Sequence, residues 1–255
     1  MNKTILIAIP HHGTKNRIYF FQMLKEFNSF KKYNIFLHVF STEEFNFDEF
    51  DNLTITQHIF DNNIGQILTH KHKSLFYENR NNYDYFMYCE DDVLITESIM
   101  DAFVEEQNNL PVQYICGFLR YELKENNSYK FLCDSHPCHS IHRGGYDIIK
   151  NNYILNNKEY FEPYNIHQAS YVIPKNIFNN IPFEKYLSDT NNYVGILEGA
   201  ASNIFFKCGL TRVIPRDKIK KLLIHHLPNT YVKKLHEFYT EESTLDENKL
   251  KEWQK

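Results

Sequence analysis

The run Tyr85-Phe86-Met87-Tyr88-Cys89 passes without a break into Glu90-Asp91-Asp92. Five apolar or aromatic side chains in succession, with no polar alternation, suit a strand covered on both faces, as an inner strand of a parallel sheet is. Three adjacent carboxylates at its end repel one another, so they cost stability unless a cation or hydrogen-bond donors compensate. Ligands of open α/β sheets bind beyond the carboxyl ends of the strands. Along an extended chain Glu90 and Asp92 point one way and Asp91 the other.

The rest of the first half fits a sheet around that strand. Thr4–Pro10 is a short apolar, β-branched run, again the pattern of a doubly buried strand. Ile18, Phe21, Leu24, Phe27 and Phe30 form a helical stripe across residues 15–32. Strands follow at 34–41 and 53–60, then a turn at Asp61–Gly65 and a helix from Gln66 to Asn79. Strand, helix, strand, strand, helix, strand reads as an open, mostly parallel α/β sheet flanked by helices. The second half is less regular. It offers a strand over 114–123, loops or a small hairpin over 130–150, and a strand ending at Pro174 with a helix start beyond it. A short helix over 198–208 is closed by Gly209, and a strand follows over 211–215. The tail from Tyr231 is charged and amphipathic, either a final helix packed by Leu235, Phe238 and Tyr239 or a frayed end. Paired asparagines, such as Asn62-Asn63, Asn81-Asn82, Asn151-Asn152 and Asn191-Asn192, read as compositional bias.

Composition bounds the function. The 255 residues suffice for one sizeable domain or two small ones. With 28 Lys and Arg against 32 Asp and Glu and no basic block, the chain is a poor general binder of nucleic acid. No apolar run approaches the ~18 residues of a membrane span, so no transmembrane segment is expected, and peripheral membrane contact is left open. The apolar stretch Ile5–Pro10 is too short for a signal-peptide core. Five scattered cysteines, at 89, 116, 133, 138 and 208, contain no CxxC pair and read as reduced thiols of a cytoplasmic protein. The sequons at Asn2, Asn52 and Asn126 then carry no glycan. Cys133-Asp134-Ser135-His136-Pro137-Cys138-His139 invites a zinc reading, but no second pair at finger spacing follows, and it reads as a loop with incidental thiols.

Taken in order, these elements resemble the glycosyltransferases of the GT-A fold. Glu90-Asp91-Asp92 after its apolar strand is similar to their acidic "DxD" metal motif. Thr4–Gly13 resembles their N-terminal nucleotide strand, and Asn63-Ile64-Gly65 their N-x-G element, followed by a helix carrying Thr69, Lys71 and His72. Asp92 lies 29 residues after Asn63. Glu198 through Gly209 and then Thr211–Ile214 resemble the acidic helix and short strand beyond the motif, and His225-His226 falls where a late histidine completes the metal site. The chain departs from the commonest pattern in having Glu at the first motif position and Gly199 rather than Asp after Glu198.

The resemblance implies a catalytic domain over residues 1–230, compact and single, with a nucleotide-sugar half (1–100) and an irregular acceptor half (101–230), and a tail over 231–255. It implies metal-dependent transfer of a sugar, hexosyl in type, from a nucleotide diphosphate donor, UDP-sugar above others, to a hydroxyl of a glycan or protein acceptor. Asp92 would be the main ligand of Mn²⁺ or Mg²⁺, Glu90 or Asp91 a second, and His225 or His226 a nitrogen ligand. Pro10, His11, His12, Arg17, Asn63, Gly65, His72 and Asp91 would line the donor site, and Glu198 would be the base if the reaction inverts. A retaining reaction needs no base there, and both outcomes stay open. Arg120, Tyr121, Glu122, His167 and Gln168 would supply acceptor contacts. Two other readings stand beside this one. A nucleotidyltransferase would carry a Gly-rich basic loop after strand one, where this chain has only Gly13 within His11–Arg17. A non-catalytic carbohydrate-binding protein on a degenerate transferase fold would keep its activity with alanine at Asp92.

Overall fold

Nothing polar interrupts Ile5–Ile9, and in the computed structural model those five side chains are fully buried in strand β1 (Lys3–His11). The structure describes residues 2–123, 130–133, 149–188 and 195–233. After β1 come α1 (Arg17–Asn28), β2 (Tyr33–Ser41), β3 (Leu53–Ile59), a 3-10 stretch (Asn62–His70), α2 (His72–Glu78), β4 (Tyr85–Cys89) and the two-residue β5 (Val93–Leu94). Next are α3 (Glu97–Gln107), β6 (Tyr114–Cys116), β7 (Leu119–Leu123), β8 (Lys130–Leu132), β9 (Ile149–Leu155) and β10 (Lys158–Pro163). The chain continues through β11 (Ser170–Pro174), α4 (Lys175–Phe178), α5 (Phe183–Leu187), α6 (Ile196–Cys208), β12 (Thr211–Pro215), β13 (Leu223–His226) and α7 (Thr230–Lys233). Leu235, Phe238 and Tyr239 of the expected tail, and His136, Cys138 and His139, lie outside the described residues.

The fold is mixed α/β and divides into two compact units, Met1–Glu97 with Ala169–Leu210 and Ser98–Gln168 with Thr211 onward. The segment 169–210 belongs with the first unit because β11 pairs with β4.

The first unit is built on a sheet of order β11-β4-β1-β2-β3. β4, β1, β2 and β3 run parallel, and β11 is antiparallel to β4. The chain lays down β1, β2 and β3 in one direction and then returns to the other side of β1 as β4. The carboxyl ends of β1 and β4 therefore flank a topological switch point, where an open α/β sheet leaves a crevice. α1 buries Phe20, Met23, Leu24 and Phe27, spaced to make one helical stripe, and Phe20 stacks on His11 at 4.7 Å. α2 buries His72 and Phe76, which meet Tyr88 and Phe86. Since Ala8 stands opposite Tyr88 in the parallel register, the His11 face and the Tyr88 face are the two sides of the sheet, one under each helix. The expected helix from Gln66 is broken into a 3-10 stretch and α2. Gly65, inside the 3-10 stretch and just ahead of Gln66, adopts φ 52°, ψ −140°, which no helix accommodates, and so kinks that stretch itself.

In the second unit, β12 lies between β6 (parallel) and β10 (antiparallel), and β10 forms a hairpin with β9. Asn156 and Asn157, with φ 50° and 62°, make the two-residue turn of that hairpin. β7 pairs in parallel with β13 and antiparallel with β8. Leu119, Leu132, Phe161, Ile214, Ile219 and Leu223 form its apolar core. The expected strand over 114–123 is two strands parted at Gly117, where a Cβ would lie 2.5 Å from Cγ of Arg212. α3 and the β9–β10 hairpin stand where no such elements were expected.

Candidate functional site

A cavity of about 390 Å³ opens at the switch point of the first unit. Pro10, His12 and Asn16 line it from the end of β1, and Glu90, Asp91 and Asp92 from the end of β4. The 3-10 stretch contributes Gly65, Gln66, Leu68 and Thr69, and the first turn of α6 contributes Leu197. The carboxylates stand here because β4 ends at Cys89, where the Glu90 N–H donates to the Ala169 carbonyl at 2.9 Å.

The three carboxylates are not equivalent. Asp91 is 8% exposed and points back into the protein. Its Oδ2 pairs with Nδ1 of His11 at 2.7 Å, and its Oδ1 accepts from Nδ2 of Asn16 at 2.8 Å. Burial pushes the Asp91 carboxyl up, the His11 hydrogen bond opposes this, and the neighbouring Asp92 charge pushes it further up. Asn16 also donates to Oδ2 of Asp92 at 3.2 Å, tying the two aspartates together. The alternation expected along Glu90–Asp92 does not hold: Asp91 and Asp92 stand in a turn rather than an extended strand, share the Asn16 amide and line the same cavity, with Asp91 committed to His11 and Asn16. Glu90 and Asp92 offer oxygen donors at a cavity at strand ends, the donor type of a hard divalent cation that keeps part of its shell for water and phosphate, but the donor atoms of the three carboxylates do not gather to within 4.8 Å of one another.

The other expected donor-site residues divide. Pro10, His12 and Gly65 line the cavity, and Nε2 of His12 lies 3.3 Å from the Asn62 carbonyl. His11 is fully buried, stacked on Phe20, and supports Asp91 from beneath. Arg17 turns outward to an ion pair with Glu43 and to the face of Phe45. Asn63 is exposed, and its N–H is held at 3.0 Å by the Asp61 side chain that caps the 3-10 stretch. His72 belongs to the aromatic core: it is 1% exposed, its Nδ1 meets the Thr69 carbonyl at 2.7 Å, and burial holds its imidazolium form well below the ordinary range. Glu198 occupies the third position of α6 and folds back over Gly195, so that a Cβ there would lie 2.2 Å from its Oε2. That is the placement of a helix-capping carboxylate.

In the second unit, His226 pairs through Nδ1 with Oε1 of Glu122 at 2.6 Å. His225 stacks on Tyr121 with ring centroids 4.9 Å apart, and burial lowers its basicity. Glu122, Cys133 and His226 offer donor atoms all within 4.8 Å of one another. Gln168 is buried and receives the Phe118 N–H at 2.8 Å, a structural clamp. Asn16, Gln66, Leu68, Thr69 and Leu197 were missed as cavity residues. Only Asn16 carried a signal, as a polar residue just before a helical stripe. No helix among the described residues is long and apolar enough to cross a membrane. No protein-family model and no curated protein matches the chain.

Proposed function

We propose that this protein is a divalent-cation-dependent glycosyltransferase that uses a nucleoside diphosphate sugar, with UDP the favoured nucleotide. The observation that carries the reading is the cavity between the ends of β1 and β4, walled on one side by Glu90, Asp91 and Asp92. Asp92 and Glu90 would hold the cation, with Asp91 bonded to His11 and Asn16 as the fixed support beneath them. Bound Mn²⁺ or Mg²⁺ supplies charge neutralisation for a leaving diphosphate. Gly65 gives the cavity a wall of bare backbone beside the nucleotide, and Thr69 adds a polar contact.

Transfer breaks the bond from the anomeric carbon to the diphosphate oxygen and makes one to an acceptor hydroxyl oxygen. An inverting reaction needs a base for the hydroxyl proton, and Glu198, beside the cavity-lining Leu197, would take it only by leaving its position over Gly195. The test is a thermal-shift panel of UDP, GDP and CDP with Mn²⁺ and with chelator. UDP with Mn²⁺ should give the largest rise, and Asp92→Asn should abolish it. Failure of all three nucleotides in the presence of metal overturns the donor-site reading.

A further inference from the structure

Strand register alone gathers a second set of donors. His225 stands opposite Tyr121 in the parallel β13–β7 pair, so the next residues, His226 and Glu122, share the other face. Leu132 stands opposite Tyr121 in the antiparallel β7–β8 pair, which carries Cys133 to that face as well. The opposite face of these strands, with Leu119, Leu132 and Leu223, is the apolar core. The three polar residues are deeply placed, at 0% exposure for Glu122, 2% for Cys133 and 8% for His226. Glu122 is oriented twice over, by His226 Nδ1 at 2.6 Å and by the Tyr231 N–H, which donates to the same oxygen at 3.1 Å.

We infer that Glu122, Cys133 and His226 form a binding site for a thiophilic transition-metal cation, Zn²⁺ in the first place, distinct in chemistry from the acidic cavity. One sulfur, one nitrogen and one oxygen are the ligand types of tetrahedral zinc. Ligand atoms around such an ion stand about 3.3–3.8 Å apart; the three donors already lie within 4.8 Å of one another, and the 2.6 Å hydrogen bond between His226 Nδ1 and Glu122 opens as the ion enters. A thiolate favours Zn²⁺ over Mg²⁺ or Mn²⁺, which prefer all-oxygen sites. On binding, the Cys133 thiol proton leaves to solvent, and the imidazole of His226 coordinates as the neutral ring, keeping its proton on the other nitrogen. Three protein ligands leave the fourth position to water. The inference does not depend on the glycosyltransferase reading.

The test is titration of the reduced full-length protein with Co²⁺, followed by displacement with Zn²⁺. A thiolate-to-cobalt charge-transfer band should rise to one equivalent per chain and vanish on adding Zn²⁺. Cys133→Ser should remove the band. His226→Gln and Glu122→Gln should each weaken Zn²⁺ binding by about tenfold or more, since loss even of an outer partner costs about 10–100-fold. Asp92→Asn should leave the band intact. Absence of the band in the unmodified protein, or its survival in Cys133→Ser, overturns the site. The unmodified protein supplies the first of these readouts, so the site is testable even if a variant fails to fold.

Discussion

The two polar clusters of this molecule are built from overlapping residue types and differ in almost everything else. Glu90, Asp91 and Asp92 follow one another in sequence, line an open cavity, and offer only oxygen. Glu122, Cys133 and His226 come from three separate strand ends, are at most 8% exposed, and offer oxygen, sulfur and nitrogen. The first arrangement leaves room beside a cation for a phosphate-bearing ligand. The second would enclose a cation among protein groups. Donor softness and accessibility, rather than the count of acidic residues, would then separate a substrate-handling cation from a retained one.

That contrast breaks most sharply in a crossed experiment. With UDP and Mn²⁺ at about a hundred times the dissociation constant, the intact protein should gain about 2.7 kcal/mol of stability. Asp92→Asn should lose all of it and keep the cobalt–thiolate band, whereas Cys133→Ser should do the reverse. If either substitution removes both responses, the clusters act as one.

Gly65→Ala comes next in size. At φ 52°, ψ −140° any side chain is strained, at a cost of about 1–3 kcal/mol. Thermal unfolding should show this loss, with a weaker UDP response and an unchanged cobalt titration. In the second unit, Asn157→Val places a β-branched residue at φ 62° and should destabilise by about 1–2 kcal/mol. Asn157→Gly should be neutral or mildly stabilising, and neither variant should alter the nucleotide response.

The smallest effect concerns pH in the first unit. His38 lies 2.8 Å from His58, and burial, followed by the His58 charge, pulls its pKa down to about 4. A depressed histidine favours the neutral form in the folded state, so its contribution is whole above the ordinary value of 6.5 and is lost as pH falls toward 4. His38→Gln should flatten that part of the stability profile by less than about 1 kcal/mol, because the pair is half-exposed and screened. A His38 resonance titrating near 6.5 would contradict this.

The sheet of the first unit was legible because β1 and β4 are unbroken, short, β-branched or aromatic apolar runs, the pattern of a doubly covered strand. The carboxylates were legible because they sit where such a run stops. The support beneath them was not: His11 and Asp91 are 80 residues apart in sequence, and only the parallel pairing of β1 and β4 brings them together. Arg17 carries a charge suited to phosphate, but from the first position of α1 it meets Glu43 in the loop after β2. The β9–β10 hairpin did leave a signal, since Asn156-Asn157 between two apolar-patterned segments is a turn pair. An asparagine-rich sequence hid it among other asparagine pairs. The Glu122–Cys133–His226 grouping left none, because it depends on the register of three strands.

The antiparallel strand β11 has a consequence for how the protein is made. Until residue 174 has left the ribosome, β4 has no partner on its outer side, and Tyr85–Cys89 is a bare apolar edge. The whole stretch 98–168 is synthesised in the meantime. A nascent chain arrested within that window is the species most exposed to aggregation, and a chaperone that shields strand edges would act on it there.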